Sequence, residues 1–109
     1  MSCRRYDIHW VAPDPAHGSV LRTTRPAVIV SLEVLNRAVS TVVVCPLTSQ
    51  LHPDWRTRLP VKVKGKAAEL AADQIRTVDK SRLGKKLASL TARDAAALRR
   101  LLGEMYAEG

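Results

Sequence analysis

Long apolar runs are missing from this chain. No window approaches the roughly 18 apolar residues of a membrane span, and the N-terminal residues lack the apolar core of a secretory leader. Cysteine is nearly missing too, with Cys3 and Cys45 alone. Neither stands at zinc-ligand spacing from a histidine or a second cysteine, so no metal module or disulfide framework is built from them. Cys45, inside an apolar run, reads as a reduced core residue. There is no internal repeat, no low-complexity tract and no linker. These gaps exclude a helical membrane protein, a zinc module and a disulfide scaffold. They point to one domain over residues 1–109, in a reducing compartment and hence the cytoplasm. A chain of 109 residues buries roughly 60–70% of its unfolded surface, enough for a core without metal or disulfide support.

Acidic residues are also scarce: ten against eighteen basic ones, a net charge of +8. Twelve of the eighteen are arginine, whose planar fork matches phosphate oxygens two at a time. A domain this basic favours an anionic partner, whether nucleic acid, an acidic protein or an anionic membrane surface. The plainer alternative is a soluble basic protein with no such partner.

What is present is a series of short β-branched runs. Residues 5–12 alternate as a first strand, with Tyr6, Ile8 and Trp10 on one face and Asp7, His9 and Val11 on the other. Residues 13–24 form a loop, long enough to suggest a function of its own. Residues 26–32 are apolar enough for a strand buried on both faces, opened by Pro26, which suits a strand's first residue. Asn36-Arg37 marks a turn region, and residues 40–48 make a third strand. Residues 49–58 are a second exposed loop. Leu59 to Lys64 alternates as a half-exposed strand, with Lys62, Lys64 and Lys66 as a basic row. Residues 68–78 read as a strand interrupted at Asp73-Gln74. Residues 79–82 make a turn or single helical turn, and a short strand follows Gly84. Thr91 caps a final helix, with Asp94 at the third helical position. Leu98, Leu101, Leu102, Met105 and Tyr106 form its apolar stripe, and Arg93, Arg99 and Arg100 face away. Strands first and a helix last predict a small antiparallel sheet or barrel closed by one C-terminal helix.

Four segments in collinear order carry a resemblance. Thr24-Arg25-Pro26-Ala27-Val28-Ile29-Val30-Ser31, Val44-Cys45-Pro46-Leu47-Thr48-Ser49, Ala71-Ala72-Asp73-Gln74-Ile75-Arg76-Thr77-Val78-Asp79-Lys80-Ser81-Arg82-Leu83, and Asp14-Pro15 with Gly18-Ser19 together resemble the MazF/PemK family of toxin endoribonucleases. The resemblance implies an α+β fold: a small SH3-like antiparallel β-barrel with a C-terminal helix, forming a homodimer. It implies cleavage of single-stranded RNA at short sequences without a metal or other cofactor, leaving 2′,3′-cyclic phosphate and 5′-hydroxyl ends. It implies an acidic antitoxin as inhibitor. The family's catalytic arginine and threonine match Arg25 and Thr48. Its RNA-contacting positions match Ser19, Ser49, Asp73 and Gln74, with the first two loops around them. The chain departs from the family at Tyr6, where glycine is usual, at Val20, where a glutamate usually follows Gly-Ser, and at His9, where an aromatic is common.

The chemistry needs a base for the 2′-hydroxyl, a counter-charge for the phosphorane and an acid for the leaving 5′-oxygen. Arg25 suits the counter-charge, since its guanidinium stays protonated and presents a fork of donors. Thr48 supplies one hydroxyl donor, and Ser49 can assist. His17 is the candidate general base by position and titration range, with His52 and His9 behind it. In the second loop Gln50, Trp55 and Arg56 join the RNA-contacting set. Trp55 reads equally as a base-stacking platform or as an anchor of the loop. The lysine row, like the run Arg76, Lys80, Arg82, Lys85 and Lys86, reads as a solvated face or as added RNA affinity. Two alternatives stay open. One is an RNA-binding relative with weakened catalysis. The other is a gyrase poison on the related CcdB fold, whose Trp-Gly-Ile-type tail the ending Tyr106-Ala107-Glu108-Gly109 does not match.

Overall fold

Seven antiparallel strands and a terminal helix make up the computed structural model, which describes residues 3–13 and 24–107. The strands are β1 (Asp7–Val11), β2 (Arg25–Ile29), β3 (Thr41–Thr48), β4 (Arg58–Val63), β5 (Lys66–Ala71), β6 (Arg76–Asp79) and β7 (Leu83–Ser89). The helices are α1 (Glu33–Ala38) and α2 (Ala92–Tyr106), with 3-10 turns at Ala72–Gln74 and Lys80–Arg82. The sheet runs β4-β5-β3-β2-β1-β7, and β6 also pairs with β3.

β3 is the branching strand. One edge pairs with β2, while the other pairs with β6 over Thr41 to Val44 and with β5 at Leu47 and Thr48. The sheet curls as a half-barrel instead of lying flat, and α2 packs into its concave side. Alternation along the strands splits the core in two. Ile8, Val28, Val30, Cys45, Leu47, Val61, Leu70 and Leu98 fill the concave side. Ala27, Ile29, Val42, Val44, Val78 and Leu83 fill the other. β2 is therefore buried on both faces, as its apolar run requires.

The α2 cap is as the sequence implies: the Asp94 N–H donates to Thr91 Oγ1 at 3.1 Å. The buried contact of the helix is shorter than its apolar stripe. Ala95 and Leu98 are buried, Leu102 packs beside them, and Tyr106 at the far end is 61% exposed.

Three local expectations change. Asn36-Arg37 is not a turn but part of α1, a helix too short to show a period. Asn36 is buried because Ser31 Oγ donates to its Oδ1 and its Nδ2 donates to the carbonyls of Ser31 and Cys3. Lys64 is not the end of a strand. With φ of 50° beside Gly65 at 80°, it forms the two-residue hairpin turn of β4 and β5, whose twist favours positive φ at both positions. The three lysines thus surround a hairpin tip and do not line one strand face.

Tyr6 is the third. It stands in the left-handed region, φ 73°, a conformation that is free for glycine and costs other residues about 1–3 kcal/mol. The strain is offset locally. Its N–H donates to the Ile29 carbonyl at 2.6 Å and its carbonyl accepts from Leu90 at 2.9 Å. Its ring lies within 4.8 Å of the Arg5 guanidinium and 5.6 Å of Arg99, and Arg99 also donates to its hydroxyl at 3.3 Å. Tyr6 thus has a structural role, pinning the N-terminal segment to α2.

Candidate functional site

Strand register decides which polar side chains meet. In β2 and β3, Ala27 faces Pro46 and Ile29 faces Val44. Continuing that register by two residues sets Arg25 across from Thr48. On the far side of β3, Thr48 faces Glu69 of β5, and Glu69 faces Pro60 of β4. Directly opposed residues project from one face of a sheet. Arg25, Thr48 and Glu69 therefore form one row on three neighbouring strands.

Each member has its own environment. Arg25 is exposed at the start of β2. Thr48 is half-buried at the end of β3, and its Oγ1 accepts the Gln50 N–H at 3.0 Å. That bond occupies a lone pair and leaves the hydroxyl proton to donate. Glu69 is 2% exposed. Its Oε1 accepts the His52 N–H at 2.8 Å and lies 3.8 Å from Arg58 Nη1.

Arg58 joins this row to the interruption after β5. Its Nε donates to Asp73 Oδ1 at 3.0 Å. Burial alone would raise the Asp73 carboxyl; hydrogen bonds from Arg58, its own backbone N–H and Thr57 outweigh that and hold it below the ordinary carboxylate value. These bonds favour the anionic form of Asp73. The Arg58 guanidinium also lies 4.7 Å from the Trp55 ring centroid. The imidazole of His52 stacks on the same indole at 3.9 Å and 9°. Trp55 is 47% exposed, yet its ring is already engaged by two neighbours.

Among the sequence-derived candidates, Arg25, Thr48, Ser49, Gln50, Trp55, Arg56, Asp73 and Gln74 are carried by the end of β3, the second loop, the start of β2 and the turn after β5. Ser49, Gln50, Arg56 and Gln74 are exposed. His17, Ser19 and Val20 lie outside the described residues. The other two histidines are placed by packing: His52 under Trp55, and His9 buried at 3% exposure with Nδ1 donating to the Gly84 carbonyl at 3.0 Å. Cys45 is buried as expected. Burial, then the Asp73 charge, pushes its thiol up to about 12 against the opposing pull of Arg58, so it is a packing group and not a nucleophile. Part of the second basic run is structural. Arg82 donates to the Ala12 carbonyl at 2.8 Å, and Lys86 pairs with Asp7 at 3.5 Å. Among the described residues no three His, Cys, Asp or Glu side chains gather as metal ligands, and no helix is long and apolar enough to cross a membrane.

Sequence reasoning missed Glu69 and the role of Arg58. The signal was a lone carboxylate inside Ala67-Ala68-Glu69-Leu70-Ala71-Ala72, a run otherwise fit for a core. A charge there has to find a buried partner.

A curled antiparallel half-barrel closed by a C-terminal helix is the fold of solved MazF structures. The chain belongs to the family described as PemK-like, MazF-like toxin of type II toxin-antitoxin system, whose sequence model matches residues 4–106. It is 30% identical over 96 residues to the endoribonuclease MazF of Staphylococcus saprophyticus, spanning 81% of this chain and 78% of that one. The fold matches the MazE-MazF complex (Form-II) of Deinococcus radiodurans with a TM-score of 0.83, at 23% identity, over 100% of this chain and 99% of that chain. It also matches a mycobacterial endoribonuclease in complex with its cognate antitoxin, TM-score 0.76 at 24% identity, over 93% and 91% of the two chains.

Proposed function

We propose that this chain is a metal-independent, sequence-specific endoribonuclease toxin that cuts single-stranded RNA, leaving 2′,3′-cyclic phosphate and 5′-hydroxyl ends. The carrying observation is the β2–β3 register, Ala27 on Pro46 and Ile29 on Val44, which continued by two residues sets Arg25 opposite Thr48. The RNA 2′-oxygen gives its proton to a base and attacks the adjacent phosphorus, and the P–O5′ bond breaks as the leaving 5′-oxygen takes a proton from the protonated base or from water. Arg25 offsets the added charge on the phosphorane oxygens. Thr48 donates a hydrogen bond from its hydroxyl to a phosphate oxygen. Ser49, Gln50, Arg56, Asp73 and Gln74 surround the path of the strand, with Trp55 beside them and Ser19 in the first loop. His17 is the candidate base for the 2′-hydroxyl. The expected result is discrete fragments when the purified protein meets a long single-stranded RNA in excess EDTA. Salt-dependent binding without cuts would instead identify a catalytically weakened relative.

Two partners fit the surface, in a cytoplasmic setting. α1 and its flanks expose Leu32, Val34, Leu35 and Val39 at 47–61%, an apolar patch suited to a second copy of the chain. Val34→Asp is expected to turn a dimer into a monomer in sedimentation velocity; an unchanged sedimentation coefficient would remove α1 from the interface. The other partner is an acidic antitoxin. An open groove of about 830 Å³ between the β4–β5 hairpin and α2 is lined by the apolar Leu51, Leu59 and Ala97, by Lys62, Arg93 and Arg100, and, as its acids, by half-buried Asp94 and buried Glu69. An apolar groove with more cations than anions complements an acidic amphipathic segment that folds on binding. Co-purification with a small acidic protein is the companion result.

A further inference from the structure

The buried pair Glu69–Arg58 ties together the second loop and the turn after β5. Three pieces distant in sequence converge there. The loop after Thr48 is held through the His52 N–H on Glu69 Oε1, 2.8 Å. The turn Ala72–Gln74 is held through Asp73 Oδ1 on Arg58 Nε, 3.0 Å, and through the Ala72 N–H on the Thr57 carbonyl, 3.1 Å. Trp55 is held between the His52 ring and the Arg58 guanidinium. Glu69 is itself the strand partner of Thr48.

The side chains of Arg58 and Glu69 are 6% and 3% exposed. At that depth neither reaches a substrate. Nor is stability an adequate reason for them, since an apolar pair of the same volume generally serves a fold as well as a buried ion pair does. An apolar pair would not orient a carboxylate, a backbone N–H and an indole at once. The ion pair does: Glu69 accepts the His52 N–H, while the guanidinium fork, with its donors fixed in one plane, holds the Asp73 carboxylate and lays its face on the indole.

We propose that Glu69–Arg58 is the positioning unit of the site, locking the second loop and the Asp73 carboxylate to the strand that carries Thr48. This rests on the ribonuclease reading and deepens it: two separate RNA-contacting segments act as one rigid surface because one buried pair spans both. Arg58 and Glu69 are positioning residues and make no contact with the reacting phosphate.

The test uses Arg58→Lys and Glu69→Gln in the full chain, assayed on a short single-stranded RNA that contains one cut site. Amide exchange at His52 and the Asp73 carboxyl titration are followed by NMR. Lysine keeps the charge and loses the fork and the stacking face; glutamine keeps the shape and loses the charge. The expected result for Arg58→Lys is a KM raised about tenfold with kcat within about threefold of the parent. His52 exchange quickens in both variants, and the Asp73 carboxyl titrates higher in Arg58→Lys. Unchanged KM with unchanged His52 exchange overturns the proposal. So does a fall in kcat at constant KM, which would place Arg58 in the chemistry. If the parent protein cuts no RNA, the ribonuclease reading falls by itself. The positioning role is then decided by His52 exchange and the Asp73 titration alone, where unchanged values overturn it.

Discussion

Arg25→Ala is expected to lower RNA cleavage about 10³- to 10⁵-fold, the range by which a guanidinium aimed at a transferring phosphoryl group accelerates it. The fold should survive. Arg25 is exposed, precedes Pro26 at the first residue of β2, and belongs to neither core cluster. Most RNA affinity should survive as well, because many other cations of a +8 chain contribute to phosphate binding. Arg25→Lys separates charge from geometry: a point charge without the fork restores only part of the rate. Single-turnover cleavage, with binding measured in parallel, reads both. An alanine variant that cuts within tenfold of the parent would remove Arg25 from the chemistry.

Glu69→Ala is expected to cost about 1–3 kcal/mol of stability, because it leaves the His52 N–H without its acceptor and takes one of two carboxylates from the Arg58 guanidinium, which keeps Asp73. For a domain whose total stability is on the order of 5–15 kcal/mol, that is a large fraction, readable as a lower urea midpoint. The double change Glu69→Leu with Arg58→Met removes both charges and should recover most of the loss. It should not recover RNA affinity, since Asp73 then lacks the Arg58 fork and the His52 N–H lacks its acceptor. Stability without function in the double variant separates packing from positioning. Recovery of both would mean that the pair matters only to the fold.

Much of the architecture was legible in the residues. Alternation gave β1 and β4, the apolar run gave β2 with both faces buried, and Thr91 with Asp94 gave the cap of α2. Each signal is local, carried by neighbours in sequence. α1 was not legible, because a six-residue helix shows no period and Asn36 is conventionally a turn residue. Its burial depends on Ser31 and on the carbonyl of Cys3, contacts the sequence does not announce. Lys64 looked like a strand position because it continued an alternation, whereas Gly65 beside it was the turn signal. Arg25 and Thr48 were named through family resemblance. That they oppose each other is a matter of register, which is set by pairing between strands and not by either strand alone. Glu69 was hidden for the same reason: its partners lie 11 and 17 positions away.

That register also governs when the site comes into being. The row through Arg25 and Thr48 extends at one end through Val11 to Leu83 and at the other through Glu69 to Pro60. It crosses six strands, and its outermost pairing joins residues more than seventy positions apart. Loops that long are closed late, and folds dominated by such pairings form on the millisecond-to-second scale. A chain that has made only its local hairpins has β4 and β5 in place, but not β1 against β7. Arg25 then has no fixed sheet to stand on. The proposed Arg25–Thr48 site is therefore expected to assemble with the last closure of the sheet, all at once, and not in a half-folded chain.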